Sequence, residues 1–346
     1  MRDDEANRFG ARAARYLNVG AQAGGLAARF VGGKMLGGGG REGDAAALTR
    51  ALGGLKGPLM KAAQLIATIP DALPADYAEA LATLQSQAPP MGAAFVQRRM
   101  IAELGADWRQ RFEAFDLHPA AAASLGQVHR ATALDGEKLA CKLQYPDMAS
   151  AVEADLSQLE LLFSLHRRFE PAIDVSEATR EIGERVREEL DYLREAKNAG
   201  LYWIMLCGEP KVRVPGVRKD LSTGRLLTLH WLEGERLLDF KSAPEAERNA
   251  IAEAIFAAWW APFAHYGVIH GDPHLGNYTV FRENGAAAGI NLLDYGCIRI
   301  FPPKFVAGVV QLYRGLLAGD GEKVAEAYKM WGFRNLSKDL IEVLNI

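Results

Sequence analysis

Apolar residues recur at two different spacings along the chain, and the change between them marks its organisation. Up to about residue 115 they follow the 3.6-residue period of amphipathic helices, with Pro70, Pro74 and Pro89-Pro90 separating successive segments. The third such segment runs from Phe95 to Leu104. Residues 1–115 are therefore predicted to form a helical extension, of which residues 1–45, rich in glycine and alanine, are expected to be flexible.

After this extension the pattern changes to strands. Large apolar residues alternate with smaller or polar ones over Leu139–Tyr145, which indicates a half-buried strand with Lys142 on the opposite face. A long helical region, interrupted near Pro171, is predicted from Asp155 to about Asn198. Strands are then predicted at Lys211–Val217 and Leu226–Leu232.

The last third of the chain is mainly helical in pattern. The apolar segment Ile251–Ile269 is interrupted by Glu253, Pro262 and His265, so it is predicted to be a buried helix rather than a membrane span. One hairpin is expected, with strands Tyr278–Phe281 and Ile290–Leu293. This order of elements predicts an α+β fold of two lobes. The first lobe, residues 116–233, contains strands with one long helical region, and the second, residues 234–346, contains helices with one hairpin.

Composition narrows the class of protein. A hydrophobic fraction of 49% in 346 residues is typical of a folded protein with a large core, and a net charge of -3 excludes the basic surface of a nucleic-acid-binding protein. The three cysteines, Cys141, Cys207 and Cys297, are far apart and favour a reducing cytoplasm. The segment Val19–Gly40 is predicted to be a flexible lead-in, with a weak surface-seeking helix as the alternative.

The sharpest chemical signal is His270-Gly271-Asp272-Pro273-His274-Leu275-Gly276-Asn277. Asp272 and Asn277 have the spacing of a phosphotransferase catalytic loop, in which the aspartate orients the acceptor and the asparagine binds a metal. The hairpin then leads to Asp294-Tyr295-Gly296, where a carboxylate suits Mg²⁺. His270 and His274 as metal ligands are the alternative.

Upstream, Lys142 is a candidate for holding the phosphates of a nucleotide. Behind it, Glu188, Asp191 and Glu195 are predicted to share one helix face, from which one of them pairs with the lysine. A solvent-exposed lysine and surface acids are the alternative. No glycine-rich loop precedes Lys142, and the segment Ala120–Val128 stands in its place, where small residues let the backbone approach phosphates.

Taken together, these motifs resemble the UbiB family of atypical protein-kinase-like proteins, also called the AarF or ADCK family. The resemblance covers essentially the whole chain, including a KxGQ-like Lys61-Ala62-Ala63-Gln64 in the extension. It implies a protein-kinase-like two-lobed fold, with a small N-lobe built on an antiparallel sheet, a helical C-lobe and the N-terminal helical extension. It also implies ATP and Mg²⁺ as cofactors.

The resemblance assigns a role to each motif residue. It implies that Lys142 and Glu195 form the nucleotide-positioning ion pair, that Asp272 is the catalytic aspartate, and that Asn277 and Asp294 bind Mg²⁺. Three further sites are implied. The nucleotide loop consists of Ala121, Ala122, Ala123, Ser124, Gly126 and Gln127, and the adenine-side hinge of Trp231, Leu232 and Glu233. A contact between the KxGQ and ExD motifs involves Lys61, Gln64, Glu189 and Asp191.

Two departures from the family pattern stand out. Ala63 replaces the glycine of KxGQ, and Leu275 replaces the usual proline after the second histidine of the catalytic loop. In this family the extension is thought to cover the place of a peptide substrate, and no Ala-Pro-Glu or long activation segment follows Gly296. The resemblance therefore implies an ATPase, or a kinase of a small molecule or lipid, that supports ubiquinone biosynthesis.

The expected partners are a nucleotide, a lipid or quinone precursor, a biosynthetic complex and, peripherally, the inner membrane surface. Two other functions stay open at this point. One is a small-molecule kinase of the aminoglycoside or choline type, which shares the HGDxxxxN loop. The other is a nucleotide-gated module that binds lipids or a complex with negligible turnover.

Overall fold

The computed structural model describes residues 91–123, 125–150, 152, 153, 156, 176–272, 274–334 and 338–344. Within them the chain divides into two units. The first contains the described residues up to Leu193 together with Lys219–Thr228, and the second contains Arg194–Arg218 and the described residues from Leu229 onward. The helical segments predicted before Pro89-Pro90, the KxGQ-like motif and the predicted lead-in all lie outside the described residues.

The first unit is built on a four-stranded sheet in the order β1-β2-β3-β5. Its strands are β1 (Phe112–Ala123), β2 (Gly126–Ala133), β3 (Lys138–Gln144) and β5 (Leu226–His230), of which the last ends in the second unit. The first three strands pair antiparallel. In β3 the larger apolar residues are buried and Lys142 is half-buried, which confirms the alternation predicted for this strand.

Helix α1 (Ala93–Leu104) packs on this sheet and confirms the helix predicted at Phe95–Leu104. The residues of its buried face join a cluster with Trp108, Phe112 and the apolar side chains of β3. Trp108 is 2% exposed and makes edge-to-face contacts with Phe112 and Phe115. This cluster is the core of the first unit.

The helical region predicted up to Asn198 was not expected to end near residue 190, but it breaks there, between α2 (Ser176–Glu188) and α3 (Tyr192–Leu206). At the break, the amides of Leu190 and Asp191 donate three residues back instead of four, and the carbonyl of Leu190 accepts from Gln144 Nε2 at 3.0 Å. A tertiary hydrogen bond thus takes the place of a helical one. Glu188, Asp191 and Glu195 therefore do not share one helix face.

The second unit contains another four-stranded sheet, in the order β4-β9-β8-β6. Its strands are β4 (Val212–Arg213), β6 (Glu235–Arg236), β8 (Tyr278–Glu283) and β9 (Ala286–Leu292). The hairpin β8-β9 confirms the predicted one. Its turn residues, Asn284 and Gly285, both have positive φ angles, 51° and 85°, as a two-residue hairpin turn requires.

The strand predicted at Lys211–Val217 is much shorter than expected. Only Val212 and Arg213 form a strand, and Val217 adds an isolated bridge to Leu229. Pro215 explains the difference, because proline has no N–H to donate to a sheet.

Helix α4 (Glu245–Tyr266) lies against β9 and buries Ile251, Ala254 and Ala258. The sequence predicted that this helix continues to Ile269, which is wrong. Gly267 ends it with φ 71°, a left-handed conformation, and the chain continues as β7 (Val268–His270).

The remaining elements complete the second unit. Strand β7 pairs antiparallel with β10 (Ile298–Ile300), a strand that the sequence pattern did not predict. Helices α5 (Pro303–Ala318), α6 (Gly321–Met330) and α7 (Lys338–Leu344) follow.

Candidate active site

The β8-β9 hairpin brings two predicted metal-binding residues to one place. Tyr278 at the start of β8 is opposite Leu292 at the end of β9, and the amide of Leu293 donates to the carbonyl of Asn277 at 2.9 Å. Asn277 immediately precedes one strand and Asp294 closely follows the other. The hairpin therefore presents both residues at the same end.

His270 ties the catalytic loop to the residues after β9. Its ring is fully buried, with Nδ1 accepting from the amide of Asp272 at 3.2 Å and Nε2 lying 2.7 Å from the carbonyl of Asp294. A carbonyl can only accept, so Nε2 carries the proton and donates it. Both ring nitrogens are engaged by the backbone, and the hypothesis that His270 is a metal ligand is wrong.

Asp272 and Asn277 are joined within the loop. The Nδ2 atom of Asn277 donates to the carbonyl of Asp272 at 3.3 Å, so its Oδ1 atom is the amide atom left for a cation. Asp272 Oδ1 accepts from the amide of His274 at 3.2 Å, and His274 Nδ1 in turn accepts from the amide of Gly276 at 3.0 Å. These short-range bonds fix the carboxylate and the amide relative to each other.

Asp294 lies in a second tight turn, in which its Oδ1 atom accepts from the amide of Gly296 at 3.0 Å. The carbonyl of Cys297 accepts from the amide of Gly271 at 2.6 Å, which joins this turn to the catalytic loop. A Cβ atom at position 271 would lie 2.7 Å from Cys297 Sγ, so only glycine permits this approach. Asp272 and Asp294 are both half-buried.

Tyr295, between Asp294 and Gly296, is a buried anchor for this turn. Its hydroxyl donates to the carbonyl of Leu292 at 2.6 Å, and its ring packs against Tyr202. Burial, reinforced by the charge of Asp294, raises the pKa of Tyr295 well above its ordinary value. The hydroxyl is therefore a permanent donor at physiological pH.

Helix α3 adds two polar residues to the second unit. Asn198 Nδ2 donates to the carbonyl of Tyr295 at 2.9 Å, a contact that the sequence reasoning missed. Glu195, the predicted partner of Lys142, is 2% exposed, and its charge contributes to the raised pKa of Tyr295. Glu195 thus belongs to the same unit as Asp272 and Asp294, and its pairing with Lys142 stays a prediction.

In the first unit, Lys142 lies beside an aromatic ring that the sequence reasoning did not single out. Its ammonium nitrogen is 5.2 Å from the ring centroid of Tyr192, at the start of α3. This distance is within the range of a cation–π interaction. Tyr192 is almost completely buried, so its ring is a fixed support for the lysine.

The alanine-rich segment forms the tip of the β1-β2 hairpin. Ala123 pairs with Gly126 across the tip, and Ser124 lies outside the described residues. A Cβ atom at Gly126 would collide with the carbonyl of Leu143. Gln127 is 1% exposed and its Oε1 accepts from the amide of Met91 at 2.9 Å, which commits its side chain to the protein.

The predicted hinge, Trp231–Glu233, belongs to the second unit and is bound to β9. Asn291 Nδ2 donates to the carbonyl of Glu233 at 3.0 Å and to Thr279 Oγ1 at 2.9 Å. The sequence reasoning missed Asn291. An isolated amide between Ile290 and Leu292 in an apolar strand was the available signal.

The predicted contact between the KxGQ-like and ExD-like motifs lies partly outside the described residues. Lys61 and Gln64 lie outside the described residues, whereas Glu189 and Asp191 form the turn between α2 and α3.

Among the residues that the structure describes, no group of three or more His, Cys, Asp or Glu side chains could hold a metal ion. No helix in that part of the chain has the length and apolarity to cross a membrane.

The protein has a protein-kinase-like α+β fold. An antiparallel sheet with a half-buried lysine is followed by helices and by a hairpin that is flanked by the HGD and DYG turns. A family model described as the ABC1 atypical kinase-like domain matches residues 83–328. The chain belongs to this family, which confirms the UbiB resemblance. It is therefore an atypical kinase-like protein.

Relatives and a solved structure support this assignment. The chain is 29% identical to the AarF domain-containing protein kinase 1 of Xenopus laevis, over 78% of this chain and 52% of the relative. It is also 29% identical to the mitochondrial atypical kinase COQ8 of Saccharomyces cerevisiae, over 75% of this chain and 51% of the relative. The chain thus spans about half the length of these curated relatives.

The fold also resembles that of Rv3197 from Mycobacterium tuberculosis, solved in complex with erythromycin. The TM-score is 0.62 at 29% sequence identity, over 88% of this chain and 78% of the other.

Proposed function

We propose that the chain binds ATP with Mg²⁺ and transfers phosphate to a small molecule or lipid, or hydrolyses ATP, in support of ubiquinone biosynthesis. The observation that carries the proposal is the hydrogen-bonded arrangement of Asp272, Asn277 and Asp294 around His270. A carboxylate for the acceptor and two oxygen ligands for a metal are the groups that phosphoryl transfer needs.

The oxygen atoms at the end of the hairpin fit Mg²⁺. Asn277 Oδ1 and the carboxylate of Asp294 are hard ligands, and Mg²⁺ in such sites is held by one or two protein groups, with phosphate oxygens and waters completing an octahedron. When bound, the ion would neutralise the negative charge of the phosphates. A site with few carboxylates is therefore compatible with this cofactor.

The protein's own groups would then divide the work. Asp272 would accept a hydrogen bond from the hydroxyl or water that attacks, and the loop bonds from His274 and Asn277 hold its carboxylate and backbone in place. Lys142 would hold the phosphates, with Glu195 as its ion-pair partner. The hairpin tip at Ala121–Gly126 would cover the nucleotide through its backbone.

The chain between Asp294 and α5 supports a non-protein acceptor. It is short, and within it Ile298–Ile300 forms strand β10, paired with β7. A segment engaged in this way offers no long loop for docking a peptide. The link to ubiquinone, the lipid or quinone precursor, the biosynthetic complex and a peripheral site at the inner membrane rest on the family resemblance and the similarity to COQ8.

A phosphate-release assay tests this proposal. Purified protein is incubated with ATP and Mg²⁺, with and without lipid vesicles and phenolic quinone precursors, beside an Asp294→Asn variant. We expect release by the wild type and a strong loss in the variant. Equal rates in the two proteins would contradict the proposal, and ATP binding without release would favour a nucleotide-gated binding module.

A second candidate function is favoured by one observation, the erythromycin complex of the related Rv3197. By analogy, this chain would bind or phosphorylate a hydroxylated antibiotic. A panel containing erythromycin and aminoglycosides separates the candidates. Rapid turnover of a panel compound with no response to quinone precursors would favour this second function.

A further inference from the structure

A buried amide links the predicted hinge to the β8-β9 hairpin. Asn291 is fully buried on β9, and its Oδ1 atom has no hydrogen-bond partner among the described residues. Leaving such an atom unpaired is costly, and an apolar residue would fill the strand position without that cost. The two hydrogen bonds that its Nδ2 atom donates, to Glu233 and Thr279, therefore explain the presence of an amide side chain at this buried position.

The direction of these bonds is fixed by chemistry. The carbonyl of Glu233 can only accept, so the amide group of Asn291 must face it with Nδ2, and reversing the amide would place two oxygens together. The same Nδ2 group donates to Thr279 Oγ1. The hydroxyl of Thr279 is consequently used as an acceptor by Asn291, and its own proton points elsewhere.

The hydroxyl of Thr279 has no acceptor among the described residues, and the side chain is half-buried rather than enclosed. Gly234, which directly follows the hinge, lies close to this side chain: a Cβ atom at this position would lie 2.5 Å from Thr279 Oγ1 and 2.6 Å from Asn291 Nδ2. Glycine is therefore required for the hinge to approach the hairpin. The hydroxyl of Thr279 is thus a hydrogen-bond donor held in a fixed position beside the hinge.

We infer that Thr279 is a specificity-determining residue that donates a hydrogen bond to an acceptor atom on the purine base of the nucleotide. Asn291 is a positioning residue that orients this hydroxyl and holds the carbonyl of Glu233. The inference rests on the proposed function, because it requires a nucleotide in this site. It adds a base-recognition element, carried by the hairpin, to the phosphate-binding groups.

Calorimetric titration of the full chain with MgATP and with Mg-tripolyphosphate, which has no base, tests the inference. Thr279→Val should weaken MgATP binding about 3- to 10-fold, the worth of one hydrogen bond, and leave tripolyphosphate binding unchanged. Thr279→Ser, which keeps the hydroxyl, should bind MgATP as the wild type does. Thr132→Val, a buried threonine of β2 that accepts from Lys138, is the matched control and should change neither affinity.

Asn291→Leu provides a second variant, in which the positioning bonds are lost and the hydroxyl is kept. It too should weaken MgATP and spare tripolyphosphate. Three results would overturn the inference alone. Thr279→Val could bind MgATP as tightly as the wild type does, or lose equal affinity for MgATP and tripolyphosphate. Alternatively, Thr279→Ser could lose as much affinity for MgATP as Thr279→Val. A wild-type protein that binds neither ligand would overturn the proposed function and the inference with it.

Discussion

The two units hold their predicted site residues by different means. In the second unit, the buried His270 accepts from the amide of Asp272 and donates to the carbonyl of Asp294, which lies 24 residues further along the chain. In the first unit, Lys142 and the alanine-rich hairpin depend on packing, against the ring of Tyr192 and the backbone of β3. The short-range bonds among Asp272, His274 and Asn277 leave a continuous motif in the sequence, whereas contacts made by packing do not.

The largest expected effect lies in the second unit. Asp272→Asn keeps the shape of the side chain and removes the carboxylate that would accept the proton of the attacking group. We expect phosphate transfer or hydrolysis to fall by about 10²- to 10⁴-fold. The measurement is steady-state phosphate release, with Asp239→Asn as a control at another position in the second unit. A loss below about twofold would remove Asp272 from the catalytic role.

A change at His270 tests whether hydrogen bonds hold this site. His270→Leu leaves the amide of Asp272 and the carbonyl of Asp294 without their partner, at a cost of about 1 to 3 kcal/mol for each buried group. Urea unfolding measures the change in the free energy of unfolding. The exposed His265, changed to leucine, should alter it by less than about 0.5 kcal/mol. Equal effects of the two substitutions would contradict the role of His270.

A change at Gly126 tests whether packing holds the first unit's hairpin. Gly126→Ala places a methyl group against the carbonyl of Leu143 and 2.9 Å from the hydroxyl of Tyr192. We expect a destabilisation of about 1 to 3 kcal/mol from overpacking, together with weaker ATP binding. Gly92→Ala, where a Cβ atom meets nothing within 4 Å, is the matched control. If both variants unfold at the same denaturant concentration, the hairpin tip is not constrained as described.

The smallest expected effect is the pH dependence of stability that His129 causes in the first unit. His129 Nδ1 donates to the carbonyl of Asp116 and its Nε2 accepts from Gln127, and burial lowers the pKa of this imidazole below 6.5. The unfolded chain therefore takes up a proton before the folded one does, so stability is lost as the pH falls below about 6.5. Melting temperatures between pH 8 and pH 5.5 measure this slope. His129→Phe should flatten it, and an unchanged slope would contradict the assignment.

Much of the second unit could be predicted because its signals are local. The turn at Asn284-Gly285 fixes the hairpin, and the spacing of Asp272 and Asn277 identifies the loop. The end of α4 at Tyr266 was missed because Gly267 lies within an apolar run, and hydrophobicity outweighed the left-handed glycine as a signal.

The rest depended on contacts between residues distant in sequence. The break after Glu188 is made by a hydrogen bond from Gln144 to Leu190, and helical periodicity carries no trace of such a bond. The roles of Tyr192 and Asn291 likewise appear only when strands and helices are assembled. Single polar or aromatic residues in apolar surroundings were their only signal.

We propose that the hairpin of the second unit holds the Mg²⁺ ion that accompanies ATP. Calorimetric titration of wild type and Asp294→Asn with ATP, each with and without Mg²⁺, tests it most directly. We expect Mg²⁺ to strengthen ATP binding by the wild type and the variant to lose this Mg²⁺-dependent gain. A wild type whose ATP affinity does not respond to Mg²⁺, or a variant that responds as fully as the wild type, would contradict the claim.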